Sequence, residues 1–245
     1  MGEPRTYRAR VDSGRLTAFE VVVKQTDLHV RAQSDLSALA REAVLEQREY
    51  IEAYIRRHPE FLSALTPWAI AEPAPPIVRD MIAAGSAAGV GPMAAVAGAV
   101  AEHVGRKLLA HSEEVIVENG GDLFLQTSEA ATVAVGAGGS PLSFRIGIRT
   151  PGASVPYAVC TSSGTVGHSL SFGRADAVCV TSRSGALADA AATAVGNRVL
   201  SRQDIPAAIE LAQRIAGVLG VLIVVDGVMG AWGALEMVAL DRKKG

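Results

Sequence analysis

Asn119, Gly120, Gly121 and Asp122 stand in a row after an apolar stretch at 115–117. Adjacent glycines permit positive φ and leave backbone N–H groups uncovered. A phosphate, a carbonyl or a ring edge can then approach without meeting a side chain. Asn119 and Asp122 add hydrogen-bonding groups on either side. The plainer reading of the same residues is a hairpin turn, for which Asn-Gly is the commonest short signal.

Asp189 and Thr193 lie in Ala188-Asp189-Ala190-Ala191-Ala192-Thr193-Ala194. On a helix capped by Ser184 they are i and i+4 and share a face. A carboxylate beside a hydroxyl suits a hard cation such as Mg²⁺, which takes oxygen ligands and keeps some of its waters. The structural alternative gives Asp189 to the dipole of its own helix and Thr193 to a carbonyl one turn back. Thr161, Ser162, Ser163 and Gly164, with His168 following, could hold a phosphate or a ribityl-like chain through hydroxyls. A Ser-His nucleophile pair would call for a strand–nucleophile–helix elbow, and none surrounds these serines, so a polar turn is the alternative. Cys160 reads as a buried thiol. His103 and His111 lack the i, i+4 spacing of a zinc helix, and no Cys-x-x-Cys, phosphate loop or dinucleotide fingerprint occurs.

The elements that must position these groups follow from periodicity and punctuation. Strands are expected at 7–11, 16–23 and 27–32, with a turn at Asp12-Ser13-Gly14. Ser34 or Asp35 caps a long helix with apolar positions at Leu36, Ala40, Val44, Ile51 and Ile55, ended by His58-Pro59. A short helical turn at 61–68 and a stiff Pro-rich connector lead to a helix at 77–84, a small-residue loop at 85–91 and an Ala-rich helix at 93–110. Strands are expected at 115–117, 123–126, 131–135, 144–148, 158–161 and 177–181. Helices follow from Ser184 to about 195 and at 205–219, then strands at 221–225 and 234–240. One domain over 1–245 is expected, with an N-terminal meander and long helix at 1–70 and a motif-bearing core at 77–200.

Hydrophobic residues make up 49% of the 245, enough for a sizeable core. A net charge of −2 gives no basic field for nucleic acid or an acidic membrane surface. Two cysteines make no disulfide framework, and the polar stretch 1–20 has no apolar h-region, so a cytoplasmic protein without a signal peptide is expected. The uncharged run 82–101 is mostly Ala and Gly, and Glu210 and Arg214 interrupt the more apolar 205–225, so both read as buried elements rather than membrane spans.

Taken in order, Gly91 to Leu109, Glu118-Asn119-Gly120-Gly121-Asp122, Thr161 to Gly164 and Ala188 to Ala194 resemble the ApbE superfamily over residues 77–200. Its flavin transferases carry a Gly-containing helix, an Asn-x-Gly-Gly-Asp turn, a Thr-Ser-Gly turn and an Ala-Asp-Ala-x-Ala-Thr helix. The chain is similar to the uncharacterised, cytosolic ApbE-like group. The resemblance implies an α+β, T-fold-like architecture of largely antiparallel sheets with packed helices. It implies a pocket for FAD, FMN or a phosphorylated small molecule, lined by Asn119, Gly120, Gly121, Asp122, Thr161, Ser162, Ser163, Gly164 and His168. It also implies Mg²⁺ on Asp189 and Thr193 and a transferase related to FAD:protein FMN transferase. The near-neutral surface and Ala-rich helices allow a homo-oligomer.

The sequence departs from that pattern in three places. Glu118 stands where the family has Asn, and Ala97-Gly98 replaces Lys-Gly. The stretch from Gly167 to Gly173 has no Asp-Pro. The departures set a second expectation beside the first, a non-catalytic ligand-binding or accessory protein; the resemblance to this group implies reduced-sulfur or homocysteine metabolism as its setting.

Overall fold

Alternation along the strands decides the layers. On β3 (Val115–Asn119), Val115 and Val117 point to one face of the sheet and Ile116 to the other; on β4 (Asp122–Thr127), Phe124 opposes Leu123 and Leu125. Both faces are buried, which is why these strands read as unbroken apolar runs rather than alternating ones. The computed structural model describes residues 15–69, 73–164 and 172–240. The expected strand at 7–11, the turn at Asp12-Ser13-Gly14 and His168 lie outside them.

The remaining strands are β1 (Thr17–Val23), β2 (Thr26–Ala32), β5 (Thr132–Ala134), β6 (Ile146–Arg149), β7 (Ala153–Ser162), β8 (Ala177–Ser182), β9 (Val218–Val225), β10 (Val228–Gly233) and β11 (Glu236–Ala239). Eight strands form one antiparallel sheet in the order β1-β2-β3-β4-β7-β8-β9-β10, and β11-β6-β5 form a second. The helices are α1 (Ser37–Arg57), α2 (Pro76–Ala88), α3 (Val96–Leu108), α4 (Gly185–Gly196) and α5 (Ile205–Arg214). Helices bury one face of the large sheet and the three-stranded sheet covers the other. Mixed α and β structure with largely antiparallel sheets and packed helices is therefore the architecture, as the sequence leads one to expect.

Cys160 and Cys179 are free and buried. Cys160 belongs to the helix-side core and Cys179 to the opposite one, so the sheet itself separates their sulfurs. Among the described residues no single helix is long and apolar enough to cross a membrane. The pair Pro76–Ala88 and Pro92–Leu108 passes by length and composition only when joined across a bend of 106°.

Several boundaries differ from expectation. The second helix runs through Gly85 to Ala88 and ends where Gly89 takes φ 74°, so the loop expected from residue 85 is shorter. A 3-10 turn, Pro92–Ala95, precedes α3. The last helix stops at Arg214 rather than 219, because Gly217 turns at φ 93° and Val218 already opens β9. Strand β10 was not expected at all; it returns from β9 through the two-residue loop Asp226-Gly227.

Candidate functional site

Asn119 and Asp122 face each other across the turn that joins β3 to β4. Gly120 (φ 64°) and Gly121 (φ 110°) make that turn, and a Cβ on either would meet nothing within 4 Å. The hairpin reading is therefore met in full, and so is the expectation of uncovered backbone at its apex. What lies beside the turn goes beyond a hairpin. The Asn119 amide donates to the Ala97 carbonyl at 3.1 Å, tying the turn to the start of α3. Asp122 is buried, at 7% exposure. Its Oδ1 accepts from the Thr161 backbone N–H at 3.1 Å, and the neighbouring Cys160 thiol donates to the Gly185 carbonyl at 3.5 Å.

Helix α4 is buried on almost every side. Its side chains with solvent access beyond the capping turn are Leu187, Asp189 and Thr193, followed by Asn197 at its C-cap. Asp189, Thr193 and Asn197 are spaced i, i+4, i+8, so the helix opens along one polar stripe. The Asn197 side chain accepts from Phe172 N–H at 2.9 Å. No hydrogen bond joins the Thr193 hydroxyl to any described residue. Asp189 Oδ2 accepts from Gly98 N–H at 2.9 Å, and the carboxylate also bonds the Ala97 N–H. It thus serves the first turn of α3, not the dipole of its own helix. Helix α3 has no side-chain cap of its own, since its N-cap is Ala95.

This crossing is unusually close. A Cβ on Gly98 would sit 2.2 Å from the Gly185 carbonyl oxygen, and one on Gly185 would sit 2.5 Å from that of Gly98. Glu102, 6% exposed on α3, completes it from the other side. Its Oε2 accepts from Gly185 N–H at 2.7 Å and from the Ser184 hydroxyl at 3.0 Å. Sequence reasoning singled out Asp189 but missed Glu102. The signal was the shared spacing of Gly98-x-x-x-Glu102 and Gly185-x-x-x-Asp189.

Burial dominates the electrostatics. It pushes Asp122 up to about 7, against the opposing hydrogen bond from the Thr161 amide. Asp189 is raised well above the usual carboxylate range, first by desolvation and then by the charge of Asp122. Burial and the same carboxylates raise the Cys160 thiol, which argues against a nucleophilic cysteine. Among the described residues no Lys or Arg pairs with Asp122 or Asp189. Glu102, by contrast, holds the fork of Arg106, with Nε at 2.9 Å and Nη2 at 2.8 Å.

The Thr161 turn divides between two faces. The Thr161 hydroxyl donates to Cys179 Sγ at 3.2 Å, on the side of the three-stranded sheet, while its backbone N–H serves Asp122. Ser162 points to the helix side, where its Oγ lies 3.3 Å from the position of a Cβ on Gly196. Ser163 and Gly164 continue past the strand, and Gly164 N–H donates to the Ala175 carbonyl at 2.9 Å. Asn119, Asp122, the Thr161 amide and Asp189 are thus gathered around the start of α3, and Thr193 and Ser162 flank the later turns of α4. Oxygen donors predominate, with no basic side chain among the described residues paired to the two carboxylates, and a hard cation fits that donor set better than a soft metal does.

A family model described as AbpE bacteria matches residues 8–230. The UPF0280 protein of Methanococcus aeolicus is 39% identical over 231 residues, 91% of this chain and 93% of its own. That of Methanosarcina acetivorans is 39% identical over 201 residues, 81% of this chain and 79% of its own. Among solved structures, the flavinyl transferase ApbE of Pseudomonas stutzeri, in its apo form, superimposes with a TM-score of 0.58 at 15% identity, over 94% of this chain and 96% of that one. The flavin transferase ApbE from Vibrio cholerae gives a TM-score of 0.56 at 13% identity, over 92% and 97%. At such identities the likeness is one of fold.

Proposed function

The chain belongs to the AbpE bacteria family and has the fold of the ApbE flavin transferases, and on that premise we propose that it binds a flavin-like or phosphorylated small molecule beside a hard divalent cation. Asp189 and Thr193 would hold the cation, for which Mg²⁺ is the natural choice. The observation that carries the reading is that Asp122 and Asp189, held by the Thr161 and Gly98 amides, have no basic partner among the described residues. Desolvated carboxylates without a basic partner favour either a proton or a metal ion.

When bound, a divalent cation supplies neutralisation of a pyrophosphate, the charge that phosphoryl transfer must offset. The chain's own residues prepare the place. Gly98 N–H and the Thr161 amide orient the two carboxylates. The Gly120-Gly121 apex gives a planar or phosphorylated ligand close access to backbone N–H groups. Ser162, Ser163 and Gly164 would extend the lining toward the end of α4, with His168 beyond them. The reading includes one domain over 1–245, T-fold-like and cytoplasmic.

One observation favours a second, non-catalytic reading. Ala97 stands where the transferases carry a lysine, and it offers the site only backbone groups, its carbonyl already taken by Asn119. A binding or accessory role would keep the pocket and drop the transfer step.

Thermal shift with FAD, FMN and ADP, each with and without Mg²⁺, tests the reading. A ligand at about 100 times its dissociation constant stabilises by about 2.7 kcal/mol. Asp189→Asn keeps an oxygen for Gly98 N–H but removes the charge, so the Mg²⁺-dependent part of the shift is expected to vanish. No shift with any ligand in the native protein would refute the pocket.

A further inference from the structure

Glu102 does for α4 what Asp189 does for α3. Its Oε2 accepts from Gly185 N–H at 2.7 Å, from Ala186 N–H at 3.4 Å and from the Ser184 hydroxyl at 3.0 Å. The next N-terminal amide, Leu187 N–H, goes to the Ser184 side chain at 3.3 Å. In return Asp189 takes Gly98 N–H at 2.9 Å. Each carboxylate stands four residues after the glycine at which the two helices touch, in Gly98-x-x-x-Glu102 and Gly185-x-x-x-Asp189. Each helix therefore carries the cap of the other, and neither can rotate or slide without releasing both sets of bonds.

The two ends differ in charge. The guanidinium of Arg106 closes on Glu102 Oε1 through Nε and Nη2, whereas Asp189 has no basic partner among the described residues. Arg106 also lies over the Phe124 ring, 5.6 Å from its centroid, which fixes the clamp to β4. Glu102 is thus paired and committed to holding α4, and Asp189 is held in place by the start of α3 with no basic partner among the described residues.

We propose that Glu102 is a positioning residue for Asp189: by capping α4 it sets where the Asp189 carboxylate meets the first turn of α3. What this means for cation affinity rests on the reading of the site given above. Without Glu102, the Gly185 and Ala186 amides and the Ser184 hydroxyl lose a buried acceptor. The first turn of α4 then loosens, and Asp189, one turn further on, loses its hold on Gly98.

Amide hydrogen exchange on the full chain in chelator tests this directly. Gly98 N–H does not touch Glu102, so its protection reports the transmitted effect. In Glu102→Ala, protection at Gly98 is expected to fall by about tenfold beyond any fall at Phe124 and Leu222 in the central strands. Glu102→Gln keeps the length and one carbonyl oxygen for Gly185 N–H, and is expected to restore most of that protection. A merely stabilising role would lower all of these amides together; that result, or unchanged Gly98 protection, overturns the proposal. Should Glu102→Ala not fold, Glu102→Asp, whose carboxylate falls one methylene short, carries the same comparison. With Mn²⁺ as the probe, affinity is expected to drop about tenfold in the Ala variant and recover in the Gln variant. If the native protein binds no Mn²⁺, the cation reading falls, and Gly98 exchange still decides the positioning role.

Discussion

Asp122 releases its proton only near neutrality in the folded chain, whereas the unfolded chain releases it near pH 4, so ionisation works against folding. With its pKa raised on folding, the native state binds more protons than the unfolded state between about pH 4 and about pH 7. Stability of the cation-free protein is therefore expected to fall as pH rises through that window. Melting temperatures in chelator from pH 5 to pH 8 check this, and Asp122→Asn is expected to flatten the profile. A melting temperature that climbs over the same range would contradict it. Residues of this kind were legible in the sequence because type and spacing alone single them out: Asp189 with Thr193 on one helical face, Asp122 beside two glycines. Glu102 was not, because the amide it serves at Gly185 lies 83 positions away, and the shared glycine-to-carboxylate spacing gains meaning only once the two helices are seen to touch.

Helices α3 and α4 touch through backbone, and that contact sets the tolerance of the elements around the site. Gly98→Ala would place a methyl 2.2 Å from the Gly185 carbonyl oxygen, against backbone that cannot rotate aside. A loss of about 3 kcal/mol is expected from overpacking of this kind, measured by denaturant unfolding. Gly120→Ala meets open space and is strained only by its φ of 64°, so about 1–2 kcal/mol is expected. Equal losses at the two positions would mean that the helices separate to admit the methyl. Boundaries at this scale were read with mixed success for identifiable reasons. Ser184 caps α4 as its sequence announces, accepting from Leu187 N–H. The apolar run after Ile205 hid the end of α5, since Ile215 and Val218 suit a helix and a strand equally well. Strand β10 carries Gly230 and Gly233 and lacks clean alternation, yet Asp226-Gly227 is a strong hairpin signal just before it.

The central strands of the large sheet, β3, β4, β7, β8 and β9, are enclosed on both faces, and the two layers they separate bear on stability independently. Phe124 is fully buried on the helix side, under α3 and Arg106. Phe124→Ala is expected to cost about 3–5 kcal/mol in denaturant unfolding, more than a surface change could. The order of the site motifs made the fold family legible. The second sheet was harder to foresee, because its strands are short and β11 returns from the far end of the chain to pair with β6. Cys160 and Cys179 sit back to back across the sheet, one thiol in each layer. Each is therefore a chemical clock for the compartment that hides it. In single-cysteine variants, Cys179→Ser and Cys160→Ser, pulses of a thiol reagent would time the lifting of the helices separately from the peeling of the small sheet. Equal labelling rates would mean that the molecule opens as one body, and unequal rates would name the layer that leaves first.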